Sequence, residues 1–484
     1  MGLTTTLANA LTGLNAASRG ADVVSQNISN ARTPGYARRE LNLSALSLGG
    51  QGAGVWIDGV TRALNQSLLT DRRLADADVA AAGTRTAFLT AAEQALGQPG
   101  DAGSLGGLYA DFDAAIVQAA SRPDSQARLQ AVVGAANDLA AKFNGLTDML
   151  QQARMDADDA IATEVDALNK LLIQTDALNA DILSARASGR DATALMDQRQ
   201  GLVDRISRIV PVREVARDHD QIALYTTGGA ILLEGNPATV GFSPVGVITA
   251  DMTLASGALS GLTINGQPVP SGPAGVLGGG SLGAEFSVRD ELAPEIQMQI
   301  DALARDLMER FEAPGVDPTL APGQPALFTD AGQPFDPLIE EGLAGRIRLN
   351  ALVDPVRGGS LWHLRDGLGA TAPGQVGDAA LLNSLRDALA ARRSPASGPF
   401  IGAGRSASGL AANVLSQVAG NRQTAESREA YTTARQTSLT DLQLRDGVDT
   451  DAELQNLLLI EQAFSANARV IQTVDDLINK LIGL

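Results

Sequence analysis

LTGLNAASRGADVVSQNISNARTPGYARRE (residues 11–40) is the stretch that decides how this chain is built. Starting upstream of it, the apolar positions are Leu3, Leu7, Ala10, Leu14, Ala17, Ala21, Val24 and Ile28. Their alternating steps of four and three are the a/d seam of a coiled coil. A helix of that extent is on the order of 40 Å long at ~1.5 Å per residue. It stops at Thr33-Pro34-Gly35-Tyr36: Pro34 biases Thr33 away from helix, and Pro34–Gly35 suits the two central positions of a type II turn.

The other end of the chain carries a second seam. Leu457, Phe464, Ile471 and Ile478 are spaced by seven, as are Ile460, Asn467, Val474 and Leu481. Thr450 and Glu453 have capping-box spacing where this helix should begin. Asn467 is the polar seam residue, of the kind that fixes register at some cost in stability. Two seams at opposite ends predict that the termini pair. A buried Leu or Ile is worth roughly 1.5–3 kcal/mol and Ala far less, whereas ordering backbone costs ~1–2 kcal/mol per residue. A seam this rich in Ala is therefore expected to need neighbouring copies. An ordinary intramolecular hairpin closing a domain is the alternative.

Between the ends lie more rods. Leu129, Val132, Ala136, Leu139, Phe143, Leu146 and Leu150 form a heptad that Ile161, Val165, Leu168 and Leu172 extend, and no proline occurs from Asp124 to Val210. That predicts one or two very long helices, with further helices near 295–311 and 406–445. From about Ile209 the pattern changes to β-branched runs, with hairpins expected at Gly228–Gly229 and Asn265–Gly266. The expected fold is mainly α with a β insert: a long-helix body built from both chain ends plus a small inserted β domain. The expected domains are 1–35 with 450–484 (terminal coiled coil), 36–205 with 285–449 (body) and 206–284 (β-rich insert). Residues 313–400, rich in Gly and Pro, read as loops and short elements.

Composition narrows the function classes. The net charge of −18 argues against a nucleic-acid or anionic-membrane partner. The absence of cysteine excludes disulfides and thiolate chemistry, and no apolar run is long enough to span a membrane. The first basic residue is Arg19, so no secretory signal is expected. GVLGGGSLGAEF (275–286) contains both G-x-G-x-x-G and G-x-S-x-G, but the strand that either motif needs is missing, and a linker is expected instead. With His219 and His363 the only histidines, no catalytic, cofactor or metal residue is expected. The acidic run MDADDAIATE (155–164) lacks EF-hand spacing and reads as a solvated helix face.

Residues 11–36 resemble the N-terminal signature of bacterial flagellar axial proteins, the rod, hook and hook-associated proteins. The matching positions are Gly13, Leu14, Asn15, Ala16, Asn27, Ile28, Asn30, Ala31, Thr33, Pro34, Gly35 and Tyr36. Residues 457–482, including Ser465 to Thr473, are similar to the C-terminal end of the same family. TPGYARRE is similar to the TPGYSRQ form of the hook–filament junction members, with Ala37 and Arg39 departing from Ser and Gln; LMDQRQGLVDRISRIVPV (195–212) resembles the exit from their body into the β domain. The resemblance implies a structural, non-enzymatic part of the extracellular flagellum, exported through the flagellar type III apparatus without a cleaved signal. Implied partners are other copies in a ring at the hook tip, hook protein, the second junction protein and an export chaperone on the C-terminal helix. It also implies that the two seams and the Thr33–Tyr36 hinge are the assembly elements. A hook or distal-rod protein is the alternative within the family, and a secreted adhesin or enzyme with coiled-coil ends the alternative outside it.

Overall fold

The computed structural model describes residues 2–482 other than Pro34, Gly49, Gly50, Pro99, Ala102, Ile401 and Ala403. Helix α1 (Leu3–Asn30) is followed by an antiparallel hairpin of β1 (Arg38–Leu48) and β2 (Gln51–Ala63). Then come α2 (Gln66–Leu96), α3 (Leu105–Ser121), α4 (Gln126–Ala187) and α5 (Thr193–Ile209). Strands β3 (Val212–Ala216), β4 (Ile222–Thr226), β5 (Ile231–Glu234) and β6 (Asn236–Pro237) form one sheet in that order. A smaller sheet holds β7 (Val240–Gly241), β8 (Leu262–Ile264) and β9 (Gln267–Val269). Helix α6 (Gly280–Ser287) continues through a π-helical turn at Val288–Leu292 into α7 (Ala293–Glu312). Strand β10 (Phe328–Asp330), helix α8 (Leu343–Arg346) and strand β11 (Ile347–Leu349) follow, with β10 pairing to β11. The chain ends with α9 (His363–Asp366), α10 (Ala380–Ala390), α11 (Ala407–Arg445) and α12 (Thr450–Ile482).

One helix organises the body. Helix α4 runs for 62 residues without proline, about 90 Å at ~1.5 Å per residue. Its first half supplies Leu129, Val132, Leu139, Phe143 and Leu150 to a core shared with α3, α7, α10 and the start of α11. Its second half supplies Ile161, Val165, Leu168 and Leu172 to another core, closed by Val203 and Ile206 of α5 and by Ile222, Leu224 and Leu233 of the sheet. The heptad legible in the sequence is thus one continuous stripe serving two lobes. Where the lobes meet, Asp158 and Arg289 form a fully buried ion pair at 2.6 Å. Buried Arg154 beside them donates to the carbonyls of Arg289 (3.0 Å) and Thr249 (2.9 Å). Asp158 Oδ2 also accepts from the backbone N–H of Val245 at 2.6 Å, so both partners of the buried pair have further hydrogen bonds.

Helices α2 and α11 pair antiparallel and join the body to the chain ends. Glu93 meets Arg422, Asp78 meets Arg435 (3.3 Å) and Asp76 meets Gln436 (2.9 Å). Helices α1 and α12 are also antiparallel: Gly13 faces Asn467, and Gly20, seven residues on, faces Ile460, seven residues back.

Several expectations need correction. Residues 38–63, read as part of a helical body, form the β1–β2 hairpin, which packs on α1; the N–H of Val55 donates to Thr12 Oγ1 at 3.2 Å. Residues 313–400 are loops and short elements as expected, but they also supply core: Phe328, Ile347, Leu349, Leu364 and Leu382 are buried in the first cluster. Phe328 and Phe311 both pack edge-on against Phe112, at 5.7 and 6.2 Å. The glycine run near 280 is no slack linker either. A Cβ on Gly280 would lie 2.3 Å from the carbonyl of Ile209, so glycine permits α6 to start against the end of α5. In the acidic run only part of the surface is solvated, since Asp158 is buried while Asp156 and Asp159 are exposed. The two hairpin turns fall where the sequence puts them: Gly229 donates to Thr226 (3.0 Å), and Asn265–Gly266 joins β8 to β9 with positive φ at both residues, as a type I′ turn requires.

Candidate functional site

At the hinge, the polar residues at the end of α1 turn inward. Asn27 is buried, and its side-chain amide acts as a short strand partner for the start of β1. Its Nδ2 donates to the carbonyl of Arg39 and its Oδ1 accepts the Arg39 N–H, both at 2.9 Å. The Tyr36 hydroxyl donates to the same Oδ1 at 2.8 Å. Asn30 holds the last helical turn by donating to the carbonyl of Gln26 (3.0 Å) and accepting from Thr33 Oγ1 (3.2 Å). The Tyr36 N–H closes a turn onto the Thr33 carbonyl at 3.1 Å, with Gly35 at φ +82° in the position where a type II turn needs positive φ. Pro34 lies outside the described residues.

A carboxylate from the body anchors this turn. Asp197 of α5 sits 2.8 Å from Arg62 Nε and 3.2 Å from Arg39 Nη2, and accepts weakly from the Ala37 N–H at 3.4 Å. The Arg39 guanidinium also stands over the Tyr36 ring at 5.0 Å. Burial pushes the Tyr36 phenol up from its ordinary value, with Arg39 opposing, so its proton stays in place for Asn27. On the other connection, Arg38 Nε donates to the buried carboxylate of Glu453 at 2.7 Å, and the charge-assisted bond raises the arginine further. The anticipated capping box is therefore not formed. Asp449 caps α12 instead, accepting from the N–H groups of Asp451 (2.9 Å) and Ala452 (3.1 Å), which frees Glu453 for Arg38. Sequence reasoning read Glu453 as a helix cap and Arg39 as a departure from the motif, and gave Asp197 no anchoring role; the Asp-Gln-Arg-Gln run at 197–200 was the available signal.

The structure places the terminal seam residues unequally. On α1, Val24 is buried and Leu3, Leu7, Leu14 and Ile28 are half-buried. On α12, Val474 is buried, Leu457, Ile460, Asn467, Ile471 and Ile478 are half-buried, and Phe464 and Leu481 are exposed. Asn467 donates within its own helix, to the carbonyl of Ala463 at 2.9 Å. Its side chain lies over Gly13, where an added Cβ would come within 2.8 Å. Register at this point comes from a knob in a glycine notch, not from a polar bond between helices. Leu454, Leu458, Leu459, Val470, Leu477 and Ile482 are also exposed, so α12 presents a long apolar surface beyond its contact with α1.

The catalytic lures do not assemble. Ser281 points its hydroxyl to the carbonyl of Arg208 at 3.4 Å, and His363 Nδ1 is engaged by the Gly367 carbonyl at 2.8 Å. Among the described residues no cluster of acidic or histidine side chains is placed to hold a metal, and no helix is long and apolar enough to cross a membrane.

Antiparallel terminal helices, a hydrogen-bonded hinge and a body built on one 62-residue helix define a mainly helical protein whose C-terminal helix leaves apolar surface exposed. Comparison with known proteins finds flagellar relatives. The flagellar hook-associated protein FlgK helical domain matches residues 89–324, and the flagellar basal body rod FlgEFG protein C-terminal domain matches 445–484. Flagellar hook-associated protein 1 of Salmonella typhimurium is 28% identical over 237 residues, 48% of this chain and 42% of the relative. The Escherichia coli protein of the same name is 28% identical over 242 residues, covering 48% and 43%. That of Bacillus subtilis is 22% identical over 519 aligned residues, covering 99% and 97%. The matched region thus spans less than half the length of the first two relatives. A solved structure, the flagellar hook junction protein FlgK from Burkholderia pseudomallei, is 20% identical with a TM-score of 0.45, covering 54% of this chain and 47% of that one. Over its helical body and its C-terminal helix the chain is thus similar to flagellar hook-associated and rod proteins.

Proposed function

We propose that this protein is a structural adaptor at the junction of hook and filament, assembled through its paired terminal helices. The observation that carries the reading is α12, which runs for 33 residues with only Glu453 and Val474 buried. A helix so lightly covered gains little from its own chain, and its exposed leucines need neighbouring copies. In this reading α1 and α12 (within 1–35 and 450–484) form the inner layer of a tube, the helical body (36–205 with 285–449) the middle, and 206–284 the outer part. The hinge at Asn27, Asn30, Thr33, Pro34, Gly35 and Tyr36 transmits position from the tube to the body. The protein passes through the flagellar type III export apparatus with a chaperone on α12, and meets hook protein below and the second junction protein above, outside the cell. It acts by holding parts together and not as an enzyme.

The test is a deletion of the gene, examined by electron microscopy. Hooks without filaments, with flagellin lost to the medium, are expected; loss of the hook itself would refute the junction role in favour of a hook or distal-rod protein. The match of residues 445–484 to rod proteins is what keeps that second reading in view. Ile471→Asp and Leu14→Asp are each expected to abolish assembly while leaving the body folded, and normal motility in either would count against assembly through these seams.

A further inference from the structure

We infer that the groove beside the hinge receives the acidic face of α4 from a neighbouring copy, an inference that rests on the assembly reading above. The groove encloses about 400 Å³ between the end of α1, α5 and the end of α11. Four arginines line it. Arg72 is neutralised by Asp76 (3.1 Å) and Asp204 (2.5 Å), but Arg32, Arg205 and Arg208 have no carboxylate within salt-bridge distance among the described residues. In a chain of net charge −18, three unanswered guanidinium groups on one concavity are a strong local excess of the opposite sign. Leu444 and Val448 add an apolar wall, so the site suits the side of a helix and not a free ion.

The complementary surface lies on the same chain. Asp148, Asp156, Asp159 and Asp166 are exposed on α4. They fall within roughly 80° of its circumference and along about 27 Å of its length, at ~100° and ~1.5 Å per residue. Between Phe143 and Asn169 the one cation, Arg154, is buried, and exposed Lys170 stands one turn beyond Asp166, so the ridge is uncompensated at Asp148, Asp156 and Asp159. Ridge and groove do not meet within one copy. Where the ridge of one copy meets the groove of the next in one direction only, the contact is heterologous and generates rings or helical assemblies. Arginine is suited to such a contact because its guanidinium pairs carboxylates bidentately.

Charge exchange in cells lacking their own copy of the gene tests this with the full chain. Arg205→Glu with Arg208→Glu, and separately Asp159→Arg with Asp166→Arg, are each expected to abolish motility. The thermal midpoint of each purified protein should stay that of the wild type, because all four residues are exposed. The combined four-residue variant is expected to regain motility and normal hook–filament joints. Full motility of either double variant, or failure of the combined variant to recover, overturns the inference; the latter would mean the groove takes another acidic partner. Should Glu at 205 and 208 lower the thermal midpoint, Arg205→Gln with Arg208→Gln replaces it, and full motility there also overturns the proposal. A deletion that leaves filaments attached would instead overturn the assembly reading itself, and is seen before any variant is made.

Discussion

Asn27→Ala is the sharpest probe of the hinge. The substitution removes three hydrogen bonds at once: both of those to the Arg39 backbone and the one from Tyr36. The site is buried, so the orphaned Arg39 N–H and carbonyl cannot be fully rehydrated. Each unsatisfied buried group costs ~1–3 kcal/mol, less whatever water enters the vacated space. A local loss of about 2–3 kcal/mol follows, and at ~1.4 kcal/mol per decade the Arg39 amide should exchange with solvent roughly 30- to 150-fold faster. The two body cores contain no hinge residue, so the main thermal transition should not move. Hydrogen exchange with mass-spectrometric readout of a peptide covering 37–41, beside a melting curve, measures both. Asn27→Asp keeps the acceptor for Tyr36 and Arg39 but loses the donor, and should fall between wild type and alanine. Unchanged protection of Arg39 in Asn27→Ala would refute the strand-partner role.

Three further outcomes follow from the geometry. Gly13→Val should force α1 and α12 apart and make α12 the first site of limited proteolysis, and Asn467→Ala should restore protection by vacating the notch; no rescue would mean the contact is not the limiting one. Arg289→Met leaves Asp158 buried without its partner and should lower stability by about 3–5 kcal/mol in urea unfolding, with Asp158→Asn recovering part of it. Burial, with Glu285 nearby, pushes Glu164 up to about 7 from an ordinary 4.5. The folded state then binds more protons than the unfolded chain across that interval, so stability falls as pH rises through it. Glu164→Gln should therefore gain about 1–3 kcal/mol over wild type at pH 8 and nothing at pH 4, and an equal effect at both would exclude the titration.

The helices were legible because their evidence is local. The heptads at 129–172 and 457–481 need only spacing, and the Gly228–Gly229 and Asn265–Gly266 turns need only backbone preference. What stayed hidden depends on distant partners. Residues 38–63 alternate at Leu41-Asn42-Leu43-Ser44-Ala45, but Gly at 49, 50, 52, 54 and 59 and an outer face that includes Leu43 and Trp56 mask the hairpin until α1 is there to pack against. Phe328 and Ile347 lie in a Gly- and Pro-rich stretch, and only the fold reveals them as core, Phe328 against the ring of Phe112. Asn27 and Tyr36 were visible as a pattern. Their connection to Asp197, some 160 positions away, could not be read from spacing.

The single helix behind both cores has a mechanical consequence. Force applied to the sheet-bearing lobe reaches the other lobe along the covalent backbone of α4, bypassing any side-chain interface that could slip. The buried Asp158–Arg289 clasp ties that helix to α6–α7 where the two cores meet. Under tension the lobes should yield together, as one strut and not as beads on a string.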